Sequence, residues 1–294
     1  MHTLSLSITL VALHIAPALA GEDAVRLLYR LPQHHVTNYV CQSQMTQQFA
    51  VMNESVESLV SVEAAIRSEV VDRVMNEATI DLLADSLAVT THVRGKGAPE
   101  SSDTLVRLPK HRHLKRLMVE PHGATRLVDR ETAGSTVDTP VDDVMLLLEN
   151  SKVLEQLFFR FPTRDVAVHD QWTLPYADTV IAPQGMGEIA VQGTLTYTYM
   201  GIVDTLGKQC WVVDWSAIGL DQSGSFARSG VTMTIRGTAQ TAGRSMHCTR
   251  TGEVVTLTSH THSVLTMSAV EMPDVVFPVH TTLVTTIHQQ PRRP

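Results

Sequence analysis

The side chains whose spacing could do chemistry here are 14 histidines and three cysteines. His111-x-His113 and His260-x-His262 place two imidazoles on one face of a strand, a spacing that suits a divalent metal. His280 and His288 fall on the polar face of the strand that follows, so His260, His262 and His280 are the candidate metal ligands. No carboxylate or thiolate lies in register with them, and a histidine pair without further ligands reads more simply as a polar strand face. Cys210 and Cys248 both fall in strands of the C-terminal half. In an oxidising compartment these two would bridge and leave Cys41 alone. The chain-entropy model gives about 4 kcal/mol for closing such a loop.

Other catalytic signatures are missing. There is no Gly-x-Ser-x-Gly elbow, no His-Glu-x-x-His, no phosphate-cradling glycine loop and no Cys-x-x-Cys. Ser223-Gly224-Ser225 sits in a Ser/Gly-rich stretch that reads as a loop. Nothing calls for a cofactor. The one basic run, Lys110-His111-Arg112-His113-Leu114-Lys115-Arg116, suits anionic lipid headgroups or, more simply, a solvated edge strand kept from aggregating by its charge.

The elements that must position these groups are legible from composition and pattern. The chain of 294 residues is 43% apolar and 18% charged, too apolar and too weakly charged for disorder. Its net charge of −7 offers no basic field to nucleic acid. Residues 1–20 carry no Lys, Arg, Asp or Glu, and their apolar core is too short for a comfortable bilayer span. They end in Pro17-Ala18-Leu19-Ala20, with small residues suited to cleavage before Gly21. The chain therefore reads as exported, periplasmic or extracellular, with no transmembrane span once the signal is removed.

An internal repeat organises the rest. Leu27-Leu28-Tyr29-Arg30-Leu31-Pro32 lines up with Leu157-Phe158-Phe159-Arg160-Phe161-Pro162 at an offset of 130. Val70-Val71-Asp72 matches Ile202-Val203-Asp204, and Pro121-His122-Gly123-Ala124 matches Arg250-Thr251-Gly252-Glu253, at nearly the same spacing. The mature chain divides accordingly into units 21–150 and 151–294. In the second unit, 193–199, 210–218, 254–267 and 277–287 alternate as half-buried strands. In the first, 64–88 carries both a helical and a two-strand pattern, the latter turning at Met75-Asn76-Glu77, and the repeat favours strands. An apolar stripe with Asp142 and Asp143 at its start predicts a helix over 141–158 that joins the units.

Val166-Ala167-Val168-His169-Asp170-Gln171-Trp172, following Phe161-Pro162, resembles a motif of exported bacterial proteins classed only as a domain of unknown function. In that family a Pro, a short gap and Val-x-Val-Gly-Asp-x-Trp precede β-hairpins. Tyr197-Thr198-Tyr199 and Gly252-Glu253-Val254 fit the same layout. The resemblance implies export and β architecture and assigns no reaction. His169 stands where the family has Gly, so if that Gly serves a left-handed turn, either His adopts it or the turn has changed. Trp172 reads as a large aromatic packed where a turn enters a strand.

The expected fold is mostly β: two related antiparallel β-rich units, curved sheets or half-barrels, joined by a helix near 141–158. Curved sheets with an apolar concave face suit greasy ligands. The expected function is a non-catalytic envelope module that binds or carries an apolar or amphiphilic ligand. A structural or interaction scaffold with an envelope protein partner is the alternative, and a hydrolase with an unrecognised site comes third. An apolar interior open to a ligand would favour the carrier, and a fully packed one the scaffold.

Overall fold

The computed structural model describes residues 24–51, 54–95, 102–106, 112–129, 154–181, 187–228 and 231–290. Twelve strands fill most of them: β1 (Val36–Val51), β2 (Glu54–Val74), β3 (Glu77–Arg94), β4 (Ser102–Val106), β5 (Arg112–Val119), β6 (Thr125–Asp129), β7 (Gln171–Ile181), β8 (Gly187–Thr205), β9 (Lys208–Arg228), β10 (Val231–Cys248), β11 (Val254–Ala269) and β12 (Met272–Gln289). Thr- and Val-rich alternation drives this, because branched side chains suit a pleated, half-buried surface. The ambiguous segment 64–88 is two strands: Ala64, Ile66, Ser68 and Val70 are buried at every second position, and the chain turns at Met75 and Asn76.

All strands join one antiparallel sheet in the order β6-β5-β3-β2-β1-β12-β11-β10-β9-β8-β7, with β4 paired to β3 off that path. Among the described residues β6 and β7 pair on one side only, so the sheet is not closed. This corrects the expectation of separate units. β12 hydrogen-bonds to β1 on one side and β11 on the other, so the two halves share one continuous ladder. The expected joining helix also needs correction. Residues 141–153 of it lie outside the described residues, and the remainder holds only a 3-10 turn, Glu155–Leu157. Leu157, Phe158 and Phe159 are consecutive and all buried, which a single helix face cannot achieve. Ser223-Gly224-Ser225, expected as a loop, lies inside β9.

Side-chain alternation gives the sheet two unlike faces. On one face lie Cys41, Leu265 and Val279, all buried; their neighbours Gln42, Thr266 and His280 are exposed on the other. We call the first the inner face. Strands make extensive contact only with their sheet neighbours, so this is a single layer.

One end of the inner face is plugged by residues 24–32 and 154–168. These two segments meet through an antiparallel bridge between Val25 and Val166. Tyr29 stacks on Phe161 at 5.1 Å, and its hydroxyl accepts the Phe159 N–H at 2.7 Å. The core that forms here unites Leu82 of β3 and Leu117 of β5 with Val213 of β9 and Leu257 of β11, so the sheet wraps its plug. Two glycine turns, at φ +82° and +78°, let the plug come close. A Cβ on Gly123 would lie 1.8 Å from the Phe159 carbonyl oxygen, and one on Gly252 2.5 Å from that of Leu28.

Candidate ligand-binding face

Beyond the plug, the inner face of the central strands β10, β11, β12 and β1 changes character. Its positions, every second residue from Met233 to Ser245, Leu257 to Ala269, Phe277 to Ile287 and Thr37 to Phe49, include no Lys, Arg, Asp or Glu. Met45, Phe49, Met267 and Leu283 are only half-buried there. The outer face of the same strands is polar, with Gln42, Gln44, His260, His262, Arg236 and Arg244. Exposed valines such as Val264 and Val276 lie among these polar groups, but only the inner face is without Lys, Arg, His, Asp and Glu.

A hydroxyl belt crosses the inner face between the plug and the apolar far end. The Ser43 and Thr285 hydroxyls lie 3.1 Å apart, and those of Thr241 and Thr261 2.8 Å apart. The register continues the first pair to Ser259, then Gly243, then Trp215. The Trp215 ring lies over Gly243, its Cε2 and Cζ2 2.6 Å from where a Cβ would stand. Its Nε1, bonded to that Cε2, is buried and has no hydrogen-bond acceptor among the described residues. Past the belt, Ile235, Leu265 and Val279 form an apolar cluster with Phe49, Ile189 and Met267.

The plugged end holds the most elaborate polar cluster. Glu253 accepts the Thr37 hydroxyl at 2.6 Å and contacts His35 Nε2 at 2.7 Å. Burial pushes its carboxyl up, but the bonds from His35, Thr37 and Thr251 outweigh burial and hold it below the ordinary carboxylate value. The geometry is not that of an activated nucleophile. The Thr37 proton is committed to the carboxylate, and the same His35 nitrogen faces both Glu253 and Thr37, so no relay runs through the ring. The cluster clamps the start of β1 to the β10–β11 turn. His247 lies beside it between Phe159 and Phe161, its two nitrogens on Ser245 Oγ and the Gly252 carbonyl. Burial lowers its pKa to about 4 against the opposing bond to Gly252, which keeps it neutral.

The predicted metal ligands fall on the outer face. His260, His262 and His280 are exposed. The His262 and His280 rings lie 6.4 Å apart, while His260 sits opposite Val284 and Ala242. Among the described residues no three His, Cys, Asp or Glu gather closely enough to hold a metal. Cys210 and Cys248 are direct cross-strand partners, both buried with free thiols. Because Thr249 N–H bonds the Gln209 carbonyl, the cysteines occupy the adjacent non-hydrogen-bonded site, where side chains come closest. Burial pushes the Cys210 thiol up to about 11 and that of Cys41, on β1, to about 12.

Part of the basic run is engaged within the sheet. Arg116 grips Asp81 with two bonds of 2.6 and 2.8 Å, and His113 lies 3.3 Å away, so Arg116 first and His113 after it hold that carboxyl below its usual value. Lys110 and His111 lie outside the described residues. His169 adopts φ +71°, the left-handed conformation a glycine would take, and its N–H bonds the Tyr199 carbonyl at 2.7 Å. Trp172 stacks on Tyr197 at 5.4 Å and donates to the Arg160 carbonyl. A further groove of about 630 Å³ opens on the outer face near the far end, between Glu188, Ser223, Ser225 and Arg236. Sequence reasoning missed the Glu253 clamp and the hydroxyl belt, because both join residues far apart in the chain.

No family model matches the chain, and no curated protein matches it. Among solved structures it is similar to lipovitellin, studied for its lipid–protein interactions, at 11% identity and a TM-score of 0.45 over 90% of this chain. That match spans about a quarter of the lipovitellin chain (26%). An outer membrane channel from Pseudomonas putida F1 matches at 10% identity and a TM-score of 0.24, over 89% of this chain and 97% of the channel. A DUF1329 family protein from Desulfovibrio piger matches at 6% identity and a TM-score of 0.15, over 87% of each chain. Likenesses this distant say nothing about what the chain binds.

Proposed function

We propose that this chain is an exported envelope protein that binds or carries an apolar or amphiphilic ligand on its inner sheet face and does not transform it. The observation that carries this reading is the inner face beyond the plug. It is free of ionised side chains on four central strands, and strands make extensive contact only with their sheet neighbours. Met45, Phe49, Met267 and Leu283 are only half-buried there, beside the buried Ile235, Leu265 and Val279. Such a face must be covered by packing or by a ligand. The polar outer face supports an aqueous setting, and residues 1–20 support export. Among the described residues no helix is long and apolar enough to cross a membrane.

We also infer an origin by duplication. Strands β1, β2, β3, β5 and β6 follow one another across the sheet as β7 to β11 do, with β12 between the two sets. The repeat landmarks at Gly123 and Gly252 are the two glycine turns that receive the plug. The carrier reading is tested by native mass spectrometry and solvent extraction of protein purified gently from its own host. A co-purifying apolar molecule is expected. If none is found and a hydrophobic probe shows no saturable site, the carrier reading fails and the scaffold takes its place.

A further inference from the structure

We propose that the ligand is an uncharged lipid whose polar group accepts hydrogen bonds, of the long-chain ester or alcohol kind, seated at the hydroxyl belt. This rests on the carrier reading and sharpens it. Three observations point the same way. The inner positions of β10, β11, β12 and β1 carry no charged partner, so an ionised carboxylate or ammonium there would be desolvated without compensation. The same positions supply hydroxyls from Ser43, Thr261 and Thr281, all half-buried, and so within reach of a ligand. In the belt's row stands the Trp215 Nε1–H, buried without an acceptor. A buried donor left unpaired is costly, and an ester or hydroxyl oxygen arriving at the belt would satisfy it. The apolar cluster around Leu265 and Val279 then lies along the path of the chain that trails from that oxygen.

The test is displacement of Nile red, a neutral probe, from the full chain. The competitors share a twelve-carbon chain: methyl laurate, dodecanol, laurate at pH 8, dodecyltrimethylammonium and dodecane. Methyl laurate and dodecanol are expected to displace the probe at least tenfold better than laurate or dodecyltrimethylammonium. Laurate competing as well as dodecanol would overturn this inference and leave the carrier reading standing. Absence of saturable Nile red binding would overturn both. Trp215→Phe keeps the ring and removes the donor, and it is expected to weaken dodecanol and methyl laurate three- to tenfold while leaving dodecane unchanged. An equal loss for dodecane would remove the belt from the binding site. Thr281→Val serves as a second variant, with the same expected split, should the Trp215 change unfold the chain.

Discussion

The two ends of the inner face are built from the same strands and differ in what covers them. At the plugged end, Leu257 and Ile287 are fully buried beneath the aromatic residues of the plug, and polar groups are tied down in the Glu253 and His247 clusters. Toward the other end, Leu283 and Met267 on the same β12 and β11 are half-buried beside the buried Leu265 and Val279, and the polar groups are neutral, hydroxyls and the Gln47 amide. Paired polar groups that are buried rigidify a fold, since each would be costly if released. Neutral groups on a half-covered face leave room for exchange with a ligand. The contrast separates the part of the molecule that holds the sheet together from the part that the proposed carrier role would use.

The sharpest way to break that contrast is a pair of matched truncations. Leu257→Ala, at the plugged end, is expected to cost about 4 kcal/mol, the range for a fully buried leucine. Leu283→Ala, on the neighbouring strand and the same face, is expected to cost about 1 kcal/mol because much of its side chain already meets solvent or ligand. Urea denaturation of both measures this, and equal losses would mean that the far end is packed like the core.

Acid should act on the plugged end first. His247 has a folded pKa of about 4, below its unfolded value of about 6.5, so the unfolded chain binds more protons between those limits. Stability is therefore expected to fall by about 3 kcal/mol as pH drops from 6.5 to 4. The Glu253 carboxyl, held below its ordinary value, withdraws its own contribution as pH falls further through its folded pKa. Urea midpoints at pH 7, 5.5 and 4.5 follow the first step, and His247→Gln should flatten it.

Oxidation tests the joint between β9 and β10. We expect mild oxidant to join Cys210 to Cys248, adding about 2 kcal/mol. This is half the chain-entropy figure, because a directly opposed cross-strand pair takes up strain. Non-reducing peptide mapping identifies the bond, and finding both thiols free after export would exclude it. The smallest effect is expected at the turn before β7. His169→Gly should stabilise by about 0.5 kcal/mol, what remains of the left-handed cost once the greater unfolded-state entropy of glycine is subtracted. A thermal melt that moves downward would mean that the His169 side chain makes a contact worth more than the strain.

Strand periodicity was legible wherever it was clean, as at Leu195, Tyr197 and Tyr199, because alternation is a local property of the chain. It misled where composition spoke louder. Ser223-Gly224-Ser225 has the make-up of a loop yet lies in β9, where Gly224 admits the close approach of the Glu188 carbonyl. The apolar stripe over 141–158 suggested a helix, but at its described end only a 3-10 turn forms, and Leu154, Leu157 and Phe158 are buried there. His260, His262 and His280 lie exposed on the outer strand face, and which groups stand beside them depends on neighbouring strands. The left-handed backbone at His169 is set by the turn into β7 and could not be read from alternation.

By itself the sequence determined a β-rich chain, because period-two alternation and the scarcity of charge are written residue by residue. It also carried the neutrality of one strand face, since charge is absent from alternate positions whatever the fold. Only the tertiary structure decided which face turns inward, that β12 joins two halves into one sheet, and that Ser43, Thr285, Ser259 and Trp215 share a row. Register is the reason: sliding a strand by one residue exchanges its faces, and what fixes the slide is the summed packing of strands far apart in the chain.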